Sequence, residues 1–482
     1  MAPLTMTPIS LRISEEMMQE LHGHLFPGDG EEHGAVLAAS VVQTSRGLRL
    51  LAHKLFLAEE GVDYLPGTIG HRMLTADFVM DCVLECADLE MAYLAVHCHG
   101  GSNHVGFSQT DMESHERGYP ALRDIVDGPP VGGLVFATNS VAGDIWLADG
   151  ERHELDVLVV LGVNVKELRA EPEIPPTASD ERYDRQARLF GDRGQRLLAR
   201  HKVGVIGAGG AGSLIIQQLA HLGVGELVII DPDRIEASNL SRVVGSRPSD
   251  IRWAGNSLLA RAARRLGWRA TYKVDIARRM VHEIAGDGLT LTTYARSVIE
   301  PTPLDALIDC DYIFLAADSM QARLLFNALV HQYLIPGTQM GVKAQVDAET
   351  GDLVDLFAVN RPVIPGRGCL WCNGLIPADK LQEEATNPEQ LRRQRYVDDD
   401  DIPAPSVITM NSVAASLATN GFLMSITNLL ETPELTWIRH NPRDGEFIEE
   451  LPRRSPDCLQ CSPSGRLARG AATRLPIALR DS

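Results

Sequence analysis

The sequence predicts an α/β chain with two domains, the second built on a mostly parallel sheet. Three observations carry this. The stretch 171–180, EPEIPPTASD, is rich in proline and acid and has no hydrophobic period, which marks a linker. After it, β-branched runs at 203–206 and 226–230 flank a glycine-rich turn and a helical spacing at 213–222. Before it, apolar runs of strand length alternate with segments of helical period. A length of 482 residues accommodates both halves. The expected division is a first domain at 1–168, a linker at 169–180, a second domain at 181–465 and a basic tail at 466–482.

Composition narrows the function classes. A hydrophobic fraction of 44% can bury substantial cores. A net charge of −19 argues against a nucleic-acid partner. No apolar run reaches the length of a membrane span. The N-terminus lacks a basic stretch followed by an apolar one and a small-residue cleavage site, so a cytoplasmic location is expected. The eight cysteines include two C-x-x-C pairs, which in a cytosolic chain read as metal ligands rather than disulfides.

In the first half, residues 13–25 read as an amphipathic helix with Glu15, Glu16 and Glu20 at polar positions. A Pro27-Gly28-Asp29-Gly30 turn leads to strands at 35–42 and 48–56. Residues 75–89 have helical spacing, with Cys82 and Cys86 one turn apart as core thiols. A strand at 91–96 delivers His97-Cys98-His99. Alternation along an extended chain puts both histidines on one side and Cys98 on the other. If Ser108 starts a helix, Asp111 returns to face the histidines. Two imidazoles and one carboxylate suit zinc and leave its fourth tetrahedral position to water, which then loses a proton near neutral pH. Glu31 and Glu32, just ahead of the strand at 35–42, are the candidate bases. Strands at 131–138, 145–148 and 156–163 close the domain.

The pattern Glu…His97-x-His99…Ser108-x-x-Asp111 resembles the JAMM/MPN metalloprotease family, whose domain is a cytidine-deaminase-like α/β fold. The resemblance implies cleavage of peptide or isopeptide bonds after the C-terminal glycine of ubiquitin-like proteins. It also implies a catalytic Zn2+ on His97, His99 and Asp111, with Ser108 helping to stabilise the oxyanion. Glu31 has the E-x-x-G spacing to Gly34 and is preferred as base, while Glu32 sits nearer the strand. Gly100 stands where the family commonly has proline, and the gap to Ser108 is one residue longer than usual. Neither departure removes a ligand.

In the second half, a polar helix at 182–200 feeds the turn Gly207-x-Gly209-Gly210-x-Gly212. Such a turn sets glycine N–H groups and a helix N-terminus against phosphate. Asp231, at the end of the next strand, is placed to hold a ribose. Asp231-x-Asp233 and Ser238-Asn239-Leu240-x-Arg242 follow. Together with Arg182-Tyr183-x-Arg185-Gln186, these motifs resemble the ThiF/MoeB and ubiquitin-activating-enzyme superfamily over roughly 180–462. Its members adenylate the C-terminal glycine of a ubiquitin-like protein with ATP and Mg2+, on a Rossmann-like domain with a structural zinc.

Carried onto this chain, the resemblance makes Gly207, Gly209, Gly210 and Gly212 the phosphate turn and Asp231 the ribose ligand. Asn239 and Arg242 would contact the phosphates. Asp318, in Asp318-Ser319-x-x-x-Arg323-x-x-x-Asn327, would hold magnesium. Arg185 would reach the ATP of a neighbouring subunit, which implies a homodimer. Gly255 stands where the family has a lysine, and Arg252 is the nearby cation. Strands are expected at 309–317 and within 333–346, the latter bringing Gly341 toward a substrate tail.

Cys369-Leu-Trp-Cys372 and Cys458-Leu-Gln-Cys461 form two knuckles for a closed structural Zn2+ site. The polar stretch 373–406, with an acidic run at 398–401, matches the family's crossover loop. No cysteine lies between 373 and 457, so a thioester on that loop is not expected; Thr386 or Thr409 is the hydroxyl alternative, and Cys310 lies in a core strand. Residues 410–430 read as a buried helix.

The leading expectation is a peptidase fused to an adenylyltransferase, both acting on one ubiquitin-like or sulfur-carrier-like protein ending in glycine, with a possible downstream conjugating protein. Fusion keeps the two sites at high effective concentration. The rivals are sulfur-carrier activation for cofactor synthesis, and a scaffold that binds ATP without adenylating anything.

Overall fold

The computed structural model describes residues 8–65, 72–173, 180–252, 258, 261, 265, 269–347, 350–386 and 405–477. Gly255, the linker centre 174–179, the acidic run 398–401 and the end of the tail from 478 lie outside the described residues. The chain forms two compact units. One comprises 1–175 with the short segments 331–334 and 457–474; the other comprises 176–330, 335–456 and 475–482. Among the described residues, no helix is long and apolar enough to cross a membrane.

The first unit is a nine-stranded sheet with helices on both faces. Its strands are β1 (Ile9–Ser14), β2 (Gly34–Thr44), β3 (Gly47–Leu57), β4 (Ala92–Cys98), β5 (Val131–Ala137), β6 (Ser140–Trp146), β7 (Arg152–Glu154), β8 (Val157–Leu161) and β9 (Val165–Leu168). They run in the order β7-β6-β5-β4-β2-β3-β1-β8-β9. Alternation along β2 divides the core: Ala35, Leu37 and Ala39 pack with helix α1 (Glu15–Leu25), whereas Val36 and Ala38 pack with Cys82, Val83 and Cys86 of α2 (Ala76–Asp88). Both thiols are buried, and burial pushes each up to about 12, so they are packing groups. The sequence reading started the first helix at Ile13, inside β1; Ser14 is the N-cap that separates them, its side chain accepting from Met17 N.

The discontinuous segments join this sheet through backbone carbonyls. Arg12 Nη1 donates to Leu334 O at 3.0 Å, Ser40 Oγ donates to Ala468 O at 2.7 Å, and His53 Nδ1 lies 2.9 Å from Leu467 O. Residues 466–474 are therefore built into the first unit.

The second unit is an eight-stranded sheet. Its strands are β10 (Lys202–Ile206), β11 (Glu226–Ile230), β12 (Thr290–Tyr294), β13 (Tyr312–Leu315), β14 (Gly337–Val346), β15 (Leu353–Val363), β16 (Trp437–Asn441) and β17 (Glu446–Glu450). The order β12-β11-β10-β13-β14-β15-β16-β17 has parallel pairing as far as β14 and antiparallel pairing beyond it. Strand order reverses at β10, and the crevice outside the ends of β10 and β13 is where such sheets bind ligands. The described α-helices are α4 (Asp184–Arg200), α5 (Gly210–Leu222), α6 (Lys273–Ala285), α7 (Leu304–Ile308), α8 (Met320–Gln332), α9 (Ala378–Ala385) and α10 (Ile408–Ile426). The expected strand at 309–317 begins only at Tyr312; Cys310 precedes it, fully buried, with its Sγ donating to Ala306 O. Helix α10 is apolar on most sides because it packs between neighbours: Ala414, Ala415, Ala418 and Phe422 are fully buried in the core with Ile215 and Leu219 of α5.

Candidate functional site

The glycine turn is shaped by its own crowding. Gly207 has φ +99°, a conformation that L side chains rarely adopt. A Cβ on Gly212 would lie 1.9 Å from Gly207 O, so only glycine lets α5 start this close to β10. Gly209 caps that helix without any side-chain hydrogen bond, which leaves the first-turn N–H groups to a ligand. Asp231 follows β11 and is buried at 5% exposure. Its Oδ2 accepts from Ala208 N at 2.7 Å and its Oδ1 from Asp233 N at 2.8 Å. Burial raises its carboxyl above the ordinary value, against the pull of Lys273 and these two N–H groups.

A cavity of about 1000 Å³ opens here, within the second unit. It brings together Gly207, Gly209, Gly210, Asp231, Asp233, Arg242, Asp318 and Arg323, gathered from the ends of three strands and the helices after them. Gly341 lines it as well. Three predicted residues lie elsewhere. Gly212 sits beneath the turn rather than on the cavity wall. Asn239 is buried and its Oδ1 accepts from Glu236 N at 3.1 Å, which shapes the loop carrying Arg242 instead of facing the cavity. Arg185 is exposed on α4, outside the lining.

The cavity also holds residues the sequence reading missed. Lys273, at the start of α6, places Nζ 2.7 Å from Asp233 Oδ2 and 4.0 Å from Asp231 Oδ1. The bridge between Arg234 and Tyr272, with Lys273 N donating to Asp233 O at 2.9 Å, brings it there, a pairing with no local signal. Gln339 and Arg361, facing each other on β14 and β15, line the cavity too. Glu384 of α9 covers the start of α8, accepting from Met320 N at 2.7 Å and Gln321 N at 2.9 Å.

The first unit has a second cluster. The strand β4 and helix α3 (Gln109–Val126) bring His97, His99 and Asp111 together, with one potential ligand atom of each within 4.8 Å of the others. The Nε2 atoms of His97 and His99 lie 3.6 and 3.4 Å from Asp111 Oδ2. Cys98 points away, between His33 N and Leu25 O. Ser108 caps α3: its Oγ accepts from Asp111 N and donates to Asp111 Oδ2 at 2.7 Å. Burial opposes ionisation of Asp111, but hydrogen bonds from both histidines outweigh it and hold the carboxyl well below its usual range. Of the two glutamates, Glu32 carries a carboxylate oxygen 4.0 Å from His99 Nε2. Behind the cluster, His115, Arg152 and Trp146 all hydrogen-bond to the buried Asp144.

Cys369 and Cys372 form one knuckle in the second unit, and Cys458 and Cys461 form the other in the first. Cys372 N donates to Cys369 Sγ at 3.3 Å and Gln460 N to Cys458 Sγ at 3.4 Å, the local turn that aims a thiolate inward.

Comparison with known proteins agrees with the second unit. The sequence model of the ThiF family matches residues 183–459, more than half of the chain. Ubiquitin-like modifier-activating enzyme 5 of Drosophila willistoni is 29% identical over 260 residues, covering 53% of this chain and 56% of that protein. Adenylyltransferase and sulfurtransferase MOCS3 of Oryza sativa is 38% identical over 115 residues, covering 20% of this chain and 26% of that protein. The matches thus span about half and about a quarter of these relatives' lengths. Among solved structures, E. coli MccB with succinimide aligns over 59% of this chain and 75% of its own, at 21% identity and a TM-score of 0.42. The chain belongs to the ThiF family.

Proposed function

We propose that the second unit adenylates the C-terminal glycine of a ubiquitin-like or sulfur-carrier-like protein. The observation that carries this is the cavity that joins the glycine turn, Asp231, Arg242 and Asp318 in one crevice. In the proposed reaction the acceptor's carboxylate oxygen forms a bond to the α-phosphorus of ATP, the bond from that phosphorus to the bridging oxygen breaks, and pyrophosphate leaves. The turn N–H groups bind the phosphates and Asp231 accepts from the ribose hydroxyls. Arg242 stabilises charge on the α-phosphate as it is attacked. Asp318 would hold a magnesium ion, which would supply positive charge against the leaving group. Arg185, exposed and outside the cavity, acts on a neighbouring copy's nucleotide in a homodimer. Names of relatives such as ubiquitin-like modifier-activating enzyme and adenylyltransferase and sulfurtransferase support this reading.

ATP–pyrophosphate exchange tests it. Label should enter ATP when the chain is mixed with a small protein ending in glycine, and Asp318→Asn should abolish the exchange. ATP binding without exchange for every such acceptor tried would favour the scaffold.

For the first unit we propose zinc-dependent cleavage after that same glycine, the JAMM-type activity. The support is the His97, His99 and Asp111 cluster, whose donor set suits zinc with an open position. When bound, zinc would acidify a water and polarise the scissile carbonyl. Glu32, with a carboxylate oxygen 4.0 Å from His99 Nε2, would take the proton as general base, with Glu31 the alternative. Ser108 holds Asp111 in its ligating rotamer.

A further inference from the structure

Among the described residues, two guanidinium groups on the β14–β15 side of the cavity stand apart from any carboxylate. Arg361 of β15 and Arg323 of α8 both line the cavity, and neither has a carboxylate oxygen within 4.0 Å among the described residues. Arg361 Nη1 donates to Gln339 Oε1 at 2.9 Å, and its guanidinium stands 5.8 Å from the Trp437 ring centroid. Arg323 Nη1 donates to Leu375 O at 3.1 Å, while its buried Nε has no partner. The two cations also act on each other. Burial, and then the positive charge of Arg323, push Arg361 down to about 10, still a cation at neutral pH. Asp318 and Glu384 act on Arg323, and Glu450 on Arg361, only from beyond 4.0 Å. Desolvating cations without a carboxylate in contact costs stability, and a bound anion would offset that cost.

Register places this charge. Leu315 of β13 is level with Gln339 of β14, and Gln339 is level with Arg361. Arg361 therefore stands level with the end of β13, about 10 Å across the sheet from the turn that carries Asp318. The glycine turn follows β10, one strand further away, so the phosphate cradle lies about 14 Å from β15. Along the face in between, Gln339, Gly341 and Lys343 alternate on β14 opposite Phe357, Val359 and Arg361 on β15. Gly341 offers no side chain to the middle of this face. The start of α8, another anion-binding feature, is already satisfied by Glu384.

We propose that Arg361 is a positioning residue that holds the terminal carboxylate of the acceptor polypeptide, with Arg323 as the supporting cation. This rests on the adenylation reading and adds the group that fixes the nucleophile before attack. A guanidinium fork matches a carboxylate in shape and charge. Carboxylate capture at this point would orient the acceptor's oxygen toward the α-phosphorus, worth more in rate than in binding alone.

The experiment uses the full chain with two fluorescent decapeptides ending in Gly-Gly, one with a free carboxylate and one with a C-terminal amide. Binding is read by anisotropy. In parallel, affinity is measured for an ATP analogue with a methylene between α- and β-phosphorus. The wild type should bind the acid about tenfold or more tighter than the amide, the value of a charged hydrogen bond. Arg361→Met should bring that ratio close to one and leave the analogue's affinity within about twofold. Arg361→Gln, which keeps a polar stem, gives the same test if the methionine variant does not fold. The proposal is overturned if the wild type shows no acid preference, if the preference survives in the variants, or if the variants lose the analogue. Failure of the wild type to bind the analogue instead removes the adenylation reading, while the acid-to-amide ratio still decides the role of Arg361.

Discussion

Replacing Gly212 with alanine probes the nucleotide turn at its tightest point. The new Cβ would lie 1.9 Å from Gly207 O and 2.8 Å from Gly207 C. An ordinary carbon–oxygen contact is roughly 3.3 Å, so about 1.4 Å of overlap must be relieved. Both atoms belong to backbone, so no rotamer change can absorb it. Helix α5 cannot retreat, because Ile215, Ile216 and Leu219 behind it are fully buried. The cost falls at the upper end of overpacking, about 3 kcal/mol. Displacing the turn by about 1 Å should also lower exchange about 100-fold. Gly209→Ala is the contrasting variant. Its Cβ meets nothing within 4 Å and its φ of −77° suits alanine, yet it lines the cavity. Stability should stay within about 1 kcal/mol of wild type, while ATP affinity falls because the methyl group enters the phosphate cradle. Urea denaturation and ATP titration of both variants decide the matter. A Gly212→Ala protein as stable as wild type, or a Gly209→Ala protein that binds ATP equally well, would refute this account of the turn.

Three further outcomes are expected. His97→Ala should lose about one equivalent of zinc by elemental analysis, and unchanged zinc content would remove the metal site from the first unit. Lys273→Met should weaken ATP binding about tenfold with little effect on melting, because it removes the cation 4.0 Å from Asp231 Oδ1 and pushes that buried carboxyl further up; equal ATP affinity would contradict this. Asp144→Asn should cost about 3 kcal/mol, since it breaks a buried network with His115 and Arg152. Burial opposes ionisation of Asp144, but those hydrogen bonds outweigh it and depress its carboxyl. Its contribution is therefore full above the unfolded value and lost as pH falls through the depressed one. The gap in stability between wild type and Asp144→Asn should narrow below about pH 4, and a gap that widens there would contradict the assignment.

Legibility in the sequence followed the range of the interaction. The glycine turn and the cap at Ser108 are set by residues within a few positions of one another, and Asp231 ends the strand that follows the turn's helix, so spacing pointed to each. The histidine pair on β4 and Asp111 on α3 were legible for the same reason, since strand alternation and one helical turn set their directions. The family resemblance of Ser238-Asn239-Leu240-x-Arg242 implies a phosphate contact for Asn239, but its side chain closes its own turn. Lys273 and Arg361 could not be found that way. Each reaches the cavity through pairing across the chain, Arg234 with Tyr272 and Gln339 with Arg361, and no local pattern encodes such register. The strand β1 was missed because six apolar-alternating residues run without a break into an amphipathic helix. The same limit hid the return of 457–474 to the first unit, where the contacts with Ser40 and His53 are made by carbonyls that any sequence would supply.

The most direct test of the central claim is a structure of the chain with the α,β-methylene ATP analogue bound. The account predicts ribose hydroxyls on Asp231, the triphosphate over Gly207, Gly209 and Gly210, and the α-phosphorus open toward the β14–β15 floor. A nucleotide bound outside this crevice, or an α-phosphorus walled off from that floor, would contradict it.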